Sequence, residues 1–320
     1  MESCFYGTRY LAGLTAELGE KCGQMTVTHW LPPLRQPVGT GSVLPMDLTH
    51  DAPAPEADLP QISLVIPVLN GGTFIADSIG RARAFLDERY RAFEIVVVDD
   101  ASTDDTVAAT EAMNDPRVRL FKLFPNRGKF GALKAGMAAA RGHCRVFTDA
   151  DLPYDLEAVA DMVHLVNSRG FHVVVGDRTL PLSESSGATP AVRRLTTRVF
   201  SFFVRLLVTG GLFDTQCGLK AFRGDVADAL FPLLTDDGFS GDVELLYIAL
   251  KYNLEIRRIP VQLRRSAPST VRITAHSLPM LTRILRLRRN WTSGRYESAR
   301  LSGLGAEIRR PTGAFGSPEK

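Results

Sequence analysis

The sequence predicts an α/β protein: a mainly parallel sheet flanked by helices, in a single domain. Two observations carry this expectation. From Ile62 to Gly176, apolar runs of strand length alternate with longer amphipathic stretches, the pattern of a doubly wound sheet. Two acidic clusters about fifty residues apart, Asp99-Asp100 and Asp149-Ala150-Asp151, each follow such a run and so place carboxylates where buried strands end. With 320 residues, 45% of them hydrophobic and 23% charged, the chain can bury the core such a sheet requires.

The elements follow in order. Ile62 to Pro67 reads as a strand and Phe74 to Tyr90 as a helix. Phe93 to Val98 is a second strand, and Ser102-Thr103-Asp104-Asp105 then caps a helix from Asp104 to Met113, with acidic residues in its first turn. Val118 to Phe124 is a third strand, followed by the loop Asn126-Arg127-Gly128-Lys129-Phe130-Gly131 and a helix from Ala132 to Ala140. Arg145 to Thr148 is a fourth strand, Asp155 to Ser168 a helix, and Val173 to Gly176 a fifth strand leading into Asp177-Arg178. After the first strand stands Pro67-Val68-Leu69-Asn70-Gly71-Gly72. The G-x-G-x-x-G turn of dinucleotide folds is missing there, which argues against an NAD or FAD site.

The ends read differently. Residues 1–59 show no helical or strand period and finish in the Pro/Ala-rich Asp51 to Asp58, so a disordered extension is expected. This extension lacks the apolar h-region of a secretory signal, and Met46 stands as a candidate translation start. Residues 60–270 form the predicted domain, 271–301 a basic amphipathic helical element, and 302–320 a disordered tail. A net charge of +3 is too small to imply nucleic acid as a partner. The four cysteines, Cys4, Cys22, Cys144 and Cys217, have neither metal-ligand nor paired spacing, so reduced thiols in a cytoplasmic setting are expected. Cys144 and Cys217 read as small buried hydrophobes.

A parallel sheet binds ligands in the crevice outside the carboxyl ends of its strands, and both acidic clusters fall there. Asp149 and Asp151 flank one small residue, and in a turn such a pair can aim two carboxylates at one hard cation. A diphosphate with that cation would complete a nucleotide and metal site.

Four stretches carry a family resemblance: Ile66-Pro67-Val68-Leu69-Asn70, Val98-Asp99-Asp100-Ala101-Ser102-Thr103-Asp104, Asn126 to Leu133, and Thr148-Asp149-Ala150-Asp151-Leu152. They resemble the family 2 glycosyltransferases of the GT-A fold. Gly176-Asp177-Arg178, Asp214-Thr215-Gln216-Cys217-Gly218-Leu219-Lys220-Ala221-Phe222 and Asp242 to Ala249 narrow the likeness to dolichyl- or polyprenyl-phosphate sugar synthases, the dolichyl-phosphate β-glucosyltransferases in particular. The resemblance spans Ile62 to Ser269 in matching order.

It implies a mixed, mainly parallel GT-A sheet and an inverting transfer of a hexose from a nucleotide diphosphate sugar to a polyprenyl phosphate. UDP-glucose is the first expected donor and GDP-mannose the second. Pro67, Val68, Asn70 and Asp99 are the candidates for the nucleotide. Lys129, with backbone N–H groups at a helix N-terminus, is expected to meet the diphosphate, and Asp149 and Asp151 to hold Mg²⁺ or Mn²⁺. A lipid phosphate ionises a second time near pH ~6, so an anionic nucleophile is already present. Arg178 and Lys220 are expected to place it. Asp242 occupies the position near the anomeric carbon, to orient the acceptor or to act as base for a hydroxyl. Asp214 and Gln216 read as supports of their loop.

Three positions depart from the family pattern. Gly71 stands in place of an acidic residue, Gly241 in place of an aromatic, and Pro268 to Arg272 in place of a Gly-Ser-Lys-like stretch in which Arg272 is the substitute for the lysine. Two other functions therefore stay open: transfer to a soluble or polysaccharide hydroxyl, and a weakly catalytic nucleotide-sugar binding module. No segment reaches the roughly twenty apolar residues of a membrane span. Val199 to Phe213, with Arg193, Arg194, Arg198 and Arg205, and Leu278 to Trp291, with Arg283, Arg286, Arg288 and Arg289, suggest peripheral attachment to an anionic membrane surface at the cytoplasmic face. For the second stretch, an apolar stripe packed on the domain under a basic face is the equal alternative.

Overall fold

The computed structural model describes residues 59–181, 183, 214–238, 240–264 and 286–307. All fall within one unit, Ala52–Lys320. The expectations for the N-terminal extension, Met46, Arg272, the stretch Val199 to Phe213 with its flanking arginines, and Leu278 to Leu285 lie outside the described residues.

The described core is a seven-stranded sheet. Strand β1 (Ile62–Val68) leads to helix α1 (Ile75–Asp87), β2 (Phe93–Asp99), α2 (Thr106–Glu111) and β3 (Val118–Lys122). Then come α3 (Lys129–Ala139), β4 (Cys144–Phe147), α4 (Glu157–Arg169) and β5 (Val173–Asp177). Further along the chain, β6 (Lys220–Arg223) runs into α5 (Gly224–Leu230), followed by α6 (Gly241–Lys251) and β7 (Ile256–Pro260). Residues 286–292 are helical, and α7 (Ala299–Glu307) closes the described chain.

The strand order is β3-β2-β1-β4-β6-β5-β7. Every adjacent pair is parallel except those of β6, which is antiparallel to β4 and to β5. With the buried Ser63, Glu94 and Arg145 among the exceptions, the central strands are mostly apolar because helices cover both faces. Side-chain alternation divides them: Val65, Val96, Val98 and Phe147 enter one core with α3, α5 and α6, whereas Leu64, Ile66, Ile95, Val97 and Val146 enter the other with α1 and α4.

Two strands went unread in the sequence. Strand β6 has four residues, Lys-Ala-Phe-Arg, and β7 reads Ile-Arg-Arg-Ile-Pro, both too short or too charged to show a period of two. The direction of β6 matters for function. Because it is antiparallel, Lys220 at its start lies opposite Phe147 at the end of β4 and Val175 near the end of β5. The loop that precedes β6 therefore arrives at the carboxyl edge.

A disordered tail from Ser302 was expected, but α7 runs to Glu307. Leu301 and Leu304 are buried against the domain, and burying two leucines contributes about 3–6 kcal/mol at full depth, which fixes this segment where composition alone suggested none.

Candidate active site

The carboxyl edge of the sheet gathers the candidate residues. At the end of β1, Val68 is buried and the chain turns through Asn70, whose φ of 54° is left-handed, a conformation that asparagine tolerates better than most residues. The Asn70 amide donates to Ser102 Oγ (2.8 Å), and its side-chain Oδ1 accepts from the Thr103 amide (2.9 Å). Asn70 thus ties the first loop to the second. The Gly71 amide donates to Thr106 Oγ1 at 2.8 Å, a bond from the position where an acidic residue was expected.

The two aspartates at the end of β2 have different work. Asp99 is buried; its Oδ2 accepts from the Ser102 amide at 3.1 Å, while its Oδ1 is buried without a partner among the described residues. A buried acceptor without a donor is costly, and this atom can take a further N–H. Asp100 instead accepts from the Arg127 and Gly128 amides at 2.7 and 2.8 Å. It clamps the loop before α3, a role that sequence reasoning did not assign.

That loop departs from expectation in one respect. Besides the two amides taken by Asp100, the Phe130 and Gly131 amides donate to the Asp237 carbonyl at 2.9 and 3.4 Å. Those amides are therefore not presented to a diphosphate in this structure; the helix end is already capped by the chain. Gly128 makes the close approach possible: its φ is +80°, and a Cβ there would stand 2.6 Å from the Asp237 carbonyl oxygen. Lys129, the first residue of α3, turns its ammonium to Asp149 Oδ1 at 2.5 Å. Burial disfavours the charge, but the Asp149 and Asp242 carboxylates outweigh it and hold the Lys129 pKa above the ordinary lysine value.

Asp149 follows β4 and starts a turn in which the Leu152 amide donates to the Asp149 carbonyl at 3.0 Å and Leu152 takes a φ of 45°. Asp151 is half-buried on that turn. Among the described residues no three His, Cys, Asp or Glu side chains converge on one point. Gly218 faces Asp149 so closely that a Cβ would lie 1.9 Å from Oδ2. Gly218→Ala is accordingly expected to push the Asp149 carboxylate aside, at a cost of about 1–3 kcal/mol in stability. Thermal denaturation with a glycosyl-transfer assay checks this: a loss of activity of less than about threefold would mean that the carboxylate tolerates the move.

Beyond β5, the Arg178 guanidinium grips Asp214 with Nε at 2.7 Å from Oδ2 and Nη2 at 2.9 Å from Oδ1. Burial would raise the Asp214 pKa, yet the bonds and charge of Arg178 hold it below the usual carboxylate range. The pair engages one edge of a five-donor fork. Asp214 is thus a support, as its loop position suggested.

Lys220 and Asp242 form the most enclosed pair. Lys220 is 0% exposed, with Nζ 2.5 Å from both Asp242 Oδ1 and the Cys217 carbonyl. Its ammonium, expected to meet an acceptor phosphate, points inward to Asp242, which is 3% exposed in the first turn of α6. At position 241, where an aromatic was expected, the Phe130 ring stands against Gly241, and a Cβ there would approach it to 2.2 Å. Cys217 is buried, as expected, and burial pushes its thiol pKa up, which makes it a poor nucleophile.

Comparison with known proteins accords with this edge. Residues 63–231 match the family description "Glycosyl transferase family 2", more than half of the chain. The chain belongs to glycosyl transferase family 2. Among members of this family, a dolichyl-phosphate beta-glucosyltransferase of Dictyostelium discoideum is 30% identical over 73% of this chain and 75% of its own length. A dolichyl-phosphate beta-glucosyltransferase of Saccharomyces cerevisiae is 28% identical over 73% and 76%. Of solved structures, glucosyl-3-phosphoglycerate synthase from Mycobacterium tuberculosis with Mn²⁺, UDP-glucose and phosphoglyceric acid is 21% identical with a TM-score of 0.54, over 71% of this chain and 80% of that one. That likeness establishes the fold, a mixed GT-A sheet. The protein is a glycosyltransferase.

Proposed function

We propose that this glycosyltransferase moves a glucosyl group from UDP-glucose to a polyprenyl phosphate by a single displacement with inversion. The observation that supports it most is the row of groups along the carboxyl edge: Asp99 Oδ1, which has no partner among the described residues, the Lys129-Asp149 pair, and the enclosed Asp242. These suit, in order, a nucleobase N–H, a diphosphate, and the carbon at which transfer occurs. The glucosyl group and the lipid acceptor rest on the relatives, whose names state dolichyl-phosphate glucosylation, and UDP-glucose is the donor bound in the glucosyl-3-phosphoglycerate synthase of the same fold.

In this reading Val68, Pro67 and Asn70 border the nucleoside, and Asp99 Oδ1 accepts from the base. Lys129 lies against the diphosphate and offsets its charge. Asp149 and Asp151 suit a Mg²⁺ or Mn²⁺ ion, because such ions take one or two carboxylates and complete their shell with phosphate oxygens and water; two carboxylates with no third His, Cys, Asp or Glu beside them among the described residues would be that donor set. The ion would neutralise charge on the departing diphosphate. An acceptor phosphate oxygen forms the new bond to the anomeric carbon as the bond to UDP breaks, and UDP leaves with the electron pair. The acceptor is already anionic at neutral pH, so no strong base is required, and the task left to the Asp242 carboxylate is to orient the acceptor at the anomeric carbon. Arg178, pre-oriented by Asp214, presents positive charge to that phosphate, and Lys220 holds Asp242 in place.

The test is transfer of radiolabel from UDP-glucose or GDP-mannose into organic-extractable product, with a short polyprenyl phosphate and Mg²⁺ or Mn²⁺. Label from UDP-glucose in the organic phase is expected. Metal-stimulated hydrolysis of the donor without lipid product would transfer the reading to a soluble acceptor, and neither outcome would leave a binding module.

No helix of the described residues is long and apolar enough to cross a membrane. In residues 286–292, Leu287 and Trp291 pack on the domain while Arg286, Arg288 and Arg289 are exposed, so the described part of this stretch turns its apolar stripe inward. Attachment to an anionic cytoplasmic membrane surface would therefore be electrostatic here and weaken with salt. Co-sedimentation with phosphatidylglycerol vesicles at low salt is expected, and its loss at high salt; binding to neutral vesicles alone would contradict the charge argument.

A further inference from the structure

Glu244 lies two residues beyond Asp242 on α6 and is fully buried. Its carboxylate accepts four bonds. Oε2 takes the Thr235 and Asp236 amides at 2.9 and 2.8 Å, and Oε1 takes the Thr235 hydroxyl and the Tyr296 hydroxyl, each at 2.5 Å. Tyr296 is 1% exposed, and Asn290 Nδ2 donates to its hydroxyl at 3.0 Å. Burial, then the Glu244 carboxylate, push the Tyr296 pKa up to about 12, so the hydroxyl keeps its proton and donates.

The loop that Glu244 grips is the one that caps α3. Its Asp237 carbonyl receives the Phe130 and Gly131 amides, its Asp237 carboxylate pairs with Lys134, and the Leu234 carbonyl accepts from Lys134 Nζ at 3.3 Å. An unbroken series of bonds therefore runs from Tyr296 through Glu244 to Thr235 and Asp236, on to Asp237, and so to the helix end that carries Lys129. The same segment is anchored again where Tyr252 donates to the Tyr296 carbonyl at 2.7 Å and accepts from the Ser298 amide at 2.8 Å.

We propose that Glu244 is a positioning residue for the transfer reaction, and that through Tyr296 it makes the segment 286–307 part of the scaffold that sets Lys129 and Asp242. Neither Glu244 nor Tyr296 touches substrate. They act by fixing the 234–238 loop, and a small displacement of a charged group at a reacting centre is enough to reduce rate. The effect on rate rests on the glycosyl-transfer reading above; the effect on the loop does not.

Tyr296→Phe tests this with little risk to folding, since it deletes one oxygen and keeps the ring in its pocket. The expected result is faster amide hydrogen exchange in residues 234–238 and 128–132, with kcat lowered about tenfold and the acceptor KM changed by less than about threefold. Glu244→Gln, which keeps an oxygen for the two amides and an N–H for the two hydroxyls, is expected to retain most of the rate. Faster exchange confined to residues 286–307, with kcat unchanged, would overturn the proposal and reduce the contact to a stabilising clamp. Unchanged exchange at 128–132 would overturn it equally. Were the unaltered protein to show no transfer, the exchange result would still decide the proposal, and the absent activity would count against the function alone.

Discussion

Asp242→Asn is expected to abolish transfer and to destabilise the domain by about 3–5 kcal/mol, the cost of leaving one member of a buried ion pair without its partner. Asp242 Oδ1 stands 2.5 Å from Lys220 Nζ, and both side chains are shut away from water. Asparagine keeps an oxygen that can accept a bond but removes the charge that justifies a buried ammonium. Lys220 then either remains charged among Phe147, Cys217 and an amide or gives up its proton, and both routes cost free energy. The activity loss and the stability loss are separable. Adding Lys220→Met removes the orphaned ammonium and should recover most of the stability in urea denaturation, whereas transfer should stay absent because the carboxylate is still missing. A single Asp242→Asn variant as stable as the parent would show that the pair contributes nothing net. Recovery of transfer in the double variant would remove Asp242 from the reaction.

How far the sequence carried is best seen at particular residues. Strands β1, β2 and β5 were legible because buried parallel strands leave runs rich in Val and Ile, β4 as the short Val-Phe stretch before Thr148, and the carboxylates after them stood out against that background. Strand β6 was not, since four residues carry too little pattern, and its antiparallel insertion between β4 and β5 is a fact of long-range pairing. The same insertion explains why Lys220 was expected to face a phosphate. A lysine in a motif looks available until its strand is found in the interior of the sheet. The cap of α3 was hidden for a different reason. Its acceptor is the backbone carbonyl of Asp237, about a hundred residues away from Phe130, and no side-chain identity announces a carbonyl. Glu244 had a faint signal, a carboxylate in the otherwise apolar run Val243 to Ile248. A buried charge among apolar neighbours asks for partners, and Tyr296 and the Thr235 loop supply them.

Asp149→Ala is the second large effect expected: loss of transfer by about 10³-fold, in line with removal of a principal electrostatic contact to a departing group, with stability nearly unchanged. The Lys129-Asp149 pair is short, at 2.5 Å, but its side chains are 22% and 34% exposed, and a pair that water reaches contributes at most about 1 kcal/mol to folding. The effect should therefore appear in binding. Titration of UDP in the presence and absence of Mn²⁺ is expected to show metal-enhanced affinity in the parent and none in Asp149→Ala. Asp242→Asn, by contrast, should retain that enhancement while failing to transfer, because Asp242 lies on α6 with Lys220 and outside the turn that carries Asp149 and Asp151. Two variants on one edge of the sheet would then fail at different steps, one at holding the donor and one at transferring from it. Metal-enhanced UDP binding that survives Asp149→Ala would displace the cation from the turn after β4 and leave Asp149 as the counter-ion of Lys129.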